Sequence, residues 1–340
     1  MSGQIKSILR FSIFIALAAL MLYFAFKGQD LHKLVTELKQ ANYFWVALAA
    51  TVTLLAHLVR AIRWNMLIKP LGHTPKTINT FNAVMIGYMA NLAFPRLGEV
   101  TRCGTLTKTD NIAINKLIGT IIVERVIDLL SLVVILFLTV LLQFHLISSF
   151  IYDNLLKGIV EKLVSNQSLL IGLVLFCLAT VIIAVSLYKR YKLQLQASAF
   201  GQKIIGLFSG ISKGLTSISM VESKGLFIFY TIALWFLYLL STYIMFFAIS
   251  ATAGLSLLTG LFVLTVGSLG MAAPVQGGIG AFHWIVSKGL VLYNIPEAEG
   301  LVYATISHGT QTLMVILIGA LGLGYILVTS NNNNKVKADV

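Results

Sequence analysis

Two proline–glycine interruptions fall inside otherwise apolar helical stretches, one in each half of the chain. The first reads Asn91-Leu92-Ala93-Phe94-Pro95-Arg96-Leu97-Gly98-Glu99, the second Ala272-Ala273-Pro274-Val275-Gln276-Gly277-Gly278-Ile279-Gly280. In both, a glycine stands three residues after the proline and a second short apolar helix follows. Proline lacks a backbone donor and glycine weakens a helix, so each site predicts a broken helix. Lipid does not tolerate free backbone groups, so such a break must be buried in protein or line a wet cavity. Paired broken helices in the two halves of a membrane chain point to a transport site.

The membrane setting follows from patterning. Of the 340 residues, 58% are hydrophobic and 11% charged, against about 25% charged in a soluble domain. The apolar residues form long runs rather than one-sided stripes. Full spans are expected at about 9–27, 43–68, 116–148, 168–188, 225–250 and 300–328, with broken elements at about 77–107 and 256–293. The limbs after the breaks are too short to cross a core that needs about 20 residues. They read as two re-entrant helical hairpins; the rival reading is a full first limb with a second limb along the surface. The fold class is therefore an all-α polytopic membrane protein, six spans plus two hairpins, in one domain over 1–330. Residues 331–340 are expected to form a disordered cytoplasmic tail.

Charge sets the orientation. With the N-terminus inside, 18 lysines and arginines lie on the inner side, and six lie outside: Lys27, Lys33, Lys39, Lys157, Lys162 and Lys288. Basic residues favour the cytoplasm, so both termini are expected there. The first hairpin then enters from the inside and the second from the outside, as an inverted repeat would require. Residues 149–167 read as a short outer amphipathic helix, and the basic stretch 189–224 as a helix on the anionic inner leaflet. The net charge of +13 does not suggest nucleic acid, because the basic residues are dispersed among helix ends without stacking aromatics. Cys103 and Cys177 lack metal-ligand spacing.

The chemistry-bearing residues gather at three places. Glu124, Arg125 and Asp128 sit in the inner third of a span. The two acids share a face, and Arg125 is spaced to reach Asp128. One reading is an ion-pair network tying this helix to the first hairpin through Arg96 or Arg102; the other is a direct substrate or proton role. At the first break, Arg96 can form a fork with a phosphate, and the helix from Gly98 offers its N-terminus to an anion. Glu99 is either a member of that site or a first-turn acid, and Arg102 either a phosphate ligand or the partner of Glu124. At the second break, Gln276, Gly277, Gly278 and Gly280 expose backbone N–H groups or simply pack closely. His283 reads as a packed histidine. His308 and Gln311, three apart in the last span, are expected to hydrogen-bond inside the bundle or to line the cavity. Arg60 and Arg63, with His57 one turn deeper, read as arginines snorkelling to the interface. Glu297 and Glu299 read as first-turn acids of the last span. No P-loop, zinc motif or nucleophile elbow is present, so neither a metal nor another cofactor is expected.

The stretch 91–106, with Pro95-Arg96-Leu97-Gly98-Glu99 and Arg102, resembles the signature of the lysylphosphatidylglycerol synthase transmembrane (flippase) region. So does Pro274-Val275-Gln276-Gly277-Gly278-Ile279-Gly280 with Phe282, and the span with Glu124, Arg125 and Asp128 also fits. The likeness covers about 5–330. It implies a region that moves an aminoacylated phospholipid between leaflets, while a separate domain, not seen in these 340 residues, makes that lipid. It also implies a functionally varied set of stand-alone members, with an archaeal branch linked to dolichol-phosphate glycosyl transfer. The expectation is a flippase-like protein of the bacterial cytoplasmic (inner) membrane. It would handle a phospholipid or polyprenyl-phosphate lipid through an anionic phosphate head group, without nucleic-acid partners; the oligomeric state stays open. The alternatives are a lipid-phosphate glycosyltransferase and a non-transporting envelope-assembly partner.

Overall fold

A computed structural model of the chain describes residues 19–23, 25–28, 31–94, 97–151 and 221–338, and among them it is helical with no strand. The helices are α1 (Leu31–Gln40), α2 (Tyr43–Ile68), α3 (Thr77–Ala93), α4 (Leu97–Asp110), α5 (Ile114–Leu142), α6 (Phe144–Ile151), α7 (Lys224–Phe246), α8 (Leu257–Ala272), α9 (Ala281–Val291) and α10 (Glu297–Ala338). Among the described residues, four helical stretches are long and apolar enough to cross a membrane: Tyr43–Leu71, Ile114–Leu142, Lys224–Phe246 and Glu297–Thr329. The protein is an integral membrane protein. The spans expected at 9–27 (but for its last residues) and 168–188 lie outside the described residues, as do most of the stretches at 149–167 and 189–224.

Local chemistry sets the helix ends. Asn42 caps α2 by accepting from the Phe44 N–H, and Ser256 caps α8 by accepting from Thr259. Both satisfy donors that the first turn leaves free. α2 closes through a turn at Lys69–Leu71, with Gly72 in the left-handed region. The span read as 116–148 is interrupted at Gln143, which leaves helical geometry between α5 and α6. Its Nε2 donates to the Leu258 carbonyl at 2.9 Å, and the Tyr293 hydroxyl donates to its Oε1. Tertiary bonding to the second hairpin thus breaks a helix that its apolar sequence would continue. Helix α10 runs on through Ala338, so residues 331–338, expected as a disordered tail, carry helical backbone. After Gly324 neither glycine nor proline stops it.

Small and hydroxylated residues bring the spans together. Ala49 and Ala56 are buried on α2 against α7. Between the two helices, Thr53 Oγ1 and Ser241 Oγ are 2.6 Å apart, and Ser241 Oγ also donates to the Ala49 carbonyl. This is packing suited to lipid, where association depends on close approach and buried hydrogen bonds. α10 is packed against α3 and α9, with Gly319 and Gly322 facing Met85, Met89 and Asn82.

The two broken elements open at opposite ends of the bundle. α3 begins beside the end of α2, where Thr80 donates to Asn65, and α4 ends beside it, where Asn79 donates to Asp110. α8 begins and α9 ends at the other pole, around Gln143 and Tyr293. The two tips touch each other: Gln276 Nε2 donates to the Ala93 carbonyl at 3.3 Å, in an exposed contact. Helix α3 has 17 residues and α8 has 16, or roughly 24–26 Å at 1.5 Å per residue, against a core of about 30 Å.

Candidate functional site

Helix α2 presents Arg60 and Arg63 three residues apart. Helix α5 presents Glu124 and Asp128 four apart, and α4 adds Arg102. These spacings put each set on one helix face, and the faces converge. Arg60 Nη1 lies 2.5 Å from Glu124 Oε1 and 2.7 Å from Asp128 Oδ2. Arg63 Nη2 lies 2.5 Å from Asp128 Oδ1, and Arg102 Nη2 donates to Glu124 Oε2 at 2.8 Å. Glu124 and Arg63 are 0% exposed, Arg102 4% and Arg60 6%. The Arg102 guanidinium also lies over the Trp64 ring, 4.5 Å from its centroid, a cation–π contact. Trp64 is fixed in turn by its indole N–H, which donates to Thr120.

Three guanidiniums face two carboxylates here. Arginine does not lose its proton in proteins, so the cluster holds a surplus positive charge with both acids ionised. The surplus has a structural counterpart: Nε and Nη1 of Arg63 and Nε of Arg102 are buried and have no hydrogen-bond partner. A buried donor without a partner costs about 1–3 kcal/mol, more when charged. The cluster thus combines one guanidinium more than it has carboxylates with three unpartnered N–H donors.

This arrangement answers the sequence expectations residue by residue. The pairing of Arg102 with Glu124 is present. Arg60 and Arg63 do not snorkel to the interface; they turn inward, where the buried Glu124 and the partly buried Asp128 on α5 compensate their charge. Arg125 does not reach Asp128, although the spacing allows it. It points away from the cluster and pairs with Glu99 at 2.8 Å, while Asp128 is taken by Arg60 and Arg63. Arg60 and Arg63 were the members hidden from sequence reasoning. The available signal was two arginines on one face of an apolar span, opposite two acids on one face of another.

At the first break, Pro95 and Arg96 lie outside the described residues. The helix N-terminus expected to offer free N–H groups is partly capped already: the Gly98 N–H donates to Asn91 Oδ1 at 2.7 Å. Gly98 packs against Gly87 so closely that a Cβ at Gly98 would collide with the Gly87 carbonyl oxygen. Gly98 is therefore a helix-contact residue of the hairpin. Glu99 and Arg125 border a cavity of about 400 Å³ between α4 and α5, lined also by Val100, Ile118, Ile121, Ile122, Val126 and Leu129.

At the second tip, Gly277 adopts φ +56°, a conformation glycine reaches at little cost. Its carbonyl accepts from His308 Nε2 at 2.8 Å. A carbonyl cannot donate, so His308 carries its proton on Nε2. The Gly280 N–H donates to His283 Nδ1 at 3.3 Å, which makes the buried His283 a cap for α9. A Cβ on Gly280 would press on Met21 and one on Gly278 on Met271, so both positions also serve close packing. Gln311, half-buried one turn along α10, takes no part in the tip. Among the described residues, no cluster of three histidines, cysteines or acids has the arrangement of a metal site.

The family model described as lysylphosphatidylglycerol synthase TM region matches residues 9–319. Two relatives from Methanocaldococcus jannaschii are both described as UPF0104 membrane proteins. One is 28% identical over 98% of this chain and 97% of its own length. The other is 24% identical over 69% of this chain and 92% of its own length. No solved structure matches the chain significantly.

Proposed function

From the membership of this chain in the lysylphosphatidylglycerol synthase transmembrane-region family, we propose that it binds a lipid by an anionic phosphate head group and moves that head group across the bilayer. The observation that supports this reading best is the cluster of Arg60, Arg63 and Arg102 with Glu124 and Asp128, in which guanidiniums outnumber carboxylates and Arg63 and Arg102 keep unpartnered N–H groups. A phosphodiester carries one negative charge and accepting oxygens, the complement of the surplus. It would take the unpartnered N–H groups of Arg63 and Arg102, to which guanidinium forks are suited.

In this reading the two broken elements are re-entrant hairpins, and their meeting tips separate inner from outer access. Arg96 would supply a further guanidinium to the phosphate, and the backbone around Gln276, Gly277 and Gly278 would face the outer path. The tails stay in the bilayer beside the bundle. The sequence carries no nucleotide-binding motif, so movement is equilibrative or coupled to an ion gradient or the membrane potential.

The test is transbilayer movement in phosphatidylcholine vesicles with a fluorescent phosphatidylglycerol analogue, read by quenching from outside. The protein should speed movement of the anionic analogue over protein-free vesicles. Arg63→Gln and Arg96→Ala should each slow it about tenfold, equivalent to roughly 1.4 kcal/mol. Equal rates with and without protein would overturn the transport reading. Full rates in both variants would remove the arginines from it. Mass spectrometry of the recovered lipid separates transport from a lipid-modifying reaction, which would change the head-group mass.

A further inference from the structure

The groove between α4 and α5 is a lateral lipid site, we propose, in which a phospholipid lays an acyl chain along α5 and its head group on the Arg125–Glu99 pair. The inference rests on the lipid-handling reading above and adds where a lipid meets the protein.

Its floor is a helical stripe. Ile118, Ile122, Arg125 and Leu129 follow one another at three- and four-residue steps on α5, with Val100 opposite on α4. Ile118 is 41%, Ile122 56% and Val100 53% exposed, so the stripe faces outward rather than into the bundle. Arg125 stands eleven residues into α5, roughly 16 Å along the helix. That is deep for a charge with a side chain 48% exposed. A charge at such depth ordinarily faces a cavity or a partner, and Glu99 supplies only one carboxylate oxygen. The other, Glu99 Oε2, is buried with no hydrogen-bond partner. The groove thus ends in an incompletely used cation beside an unused acceptor. A phosphodiester fits the first, and a hydroxyl or ammonium on the same head group fits the second. The remainder of the lining is apolar, as an acyl chain requires.

The competing occupant is the chain's own apolar stretch 168–188. It contains no charged side chain, so charge complementarity favours the lipid.

Full-length protein carrying p-benzoylphenylalanine at Ile122 or, as a control, at Phe137 is reconstituted in vesicles of phosphatidylglycerol and phosphatidylethanolamine. It is then irradiated and its intact mass read. Phe137 is 64% exposed on the same helix outside the groove, so it reports ordinary surrounding lipid. We expect at least fivefold more lipid adduct at Ile122 than at Phe137, falling to the Phe137 level with Arg125→Ala and with the groove-filling Val100→Trp. Two variants guard against an effect of either change on folding, and the Phe137 adduct reports that the helix is still inserted. Equal adducts at the two positions, or an Ile122 adduct to the 168–188 peptide, would overturn the proposal. Transbilayer movement is measured on the same samples. Groove adducts without movement would leave the site standing and remove the transport reading; movement without groove adducts would do the reverse.

Discussion

Glu124 shows how one side chain comes to organise three helices. It is fully buried on α5 and accepts from Arg60 on α2 and Arg102 on α4. Removing one partner of a buried pair strands the other charge and costs about 3–5 kcal/mol, whereas removing both is far milder. Asp128→Ala, which strands the buried Arg63 guanidinium, should therefore lower the melting temperature in detergent more than Asp128→Ala combined with Arg63→Ala. Additive losses would mean that the 2.5 Å contact carries no coupling. The same cycle on Arg125 and Asp128 should come out additive, because Arg125 bonds Glu99 instead.

Each hairpin is held by a different device. In the first, Gly87 and Gly98 let two helices touch backbone to backbone. Gly98→Ala should destabilise by about 1–3 kcal/mol or more, the range for overpacking. Gly104→Ala, on the same helix with open space around it, should be neutral or stabilising by up to about 1 kcal/mol. Thermal melts of the pair check this, and similar losses at both sites would contradict the contact. In the second hairpin, His308 secures the tip through the Gly277 carbonyl. His308→Ala leaves that acceptor unpaired, at about 1–3 kcal/mol. Amide exchange over residues 276–280 should speed up while the middle of α2 stays protected; unchanged tip exchange would show that the bond does not hold it.

For the molecule as a whole, the ends of the bundle differ in charge. Lys69, Lys76 and Lys224 lie at the pole where α2 ends and α7 begins, and Lys69 reaches Glu222 there. Lys288 and Glu297 pair at the other pole. The positive-rich pole is expected in the cytoplasm. Single cysteines at Lys213 and Lys335, in a background lacking Cys103 and Cys177, should then react only from the cytoplasmic side. Cysteines at Lys157 and Pro296 should react only from outside. Labelling of the Lys213 and Pro296 positions from one side would overturn the orientation and the opposed hairpins together.

The apolar runs and their punctuation determined much by themselves. Lipid demands backbone satisfaction within each segment, so helix, span and break are local properties, and the breaks at Pro95 and Pro274 and the spans at α2, α7 and α10 could be read within a few residues. Glu124 and Arg102 were legible as partners because buried charges need compensation and these were near in sequence. The rest depended on which faces meet. Arg60 and Arg63 look like interface arginines until α5 is laid beside α2, and Gln143 looks like a passenger in a continuous span until Leu258 and Tyr293 engage it. Arg125 had two acids within reach, and only the placement of α4 awarded it Glu99. Local periodicity states which residues share a face; long-range packing decides what that face touches, and the surplus guanidinium charge exists only once three helices are in place.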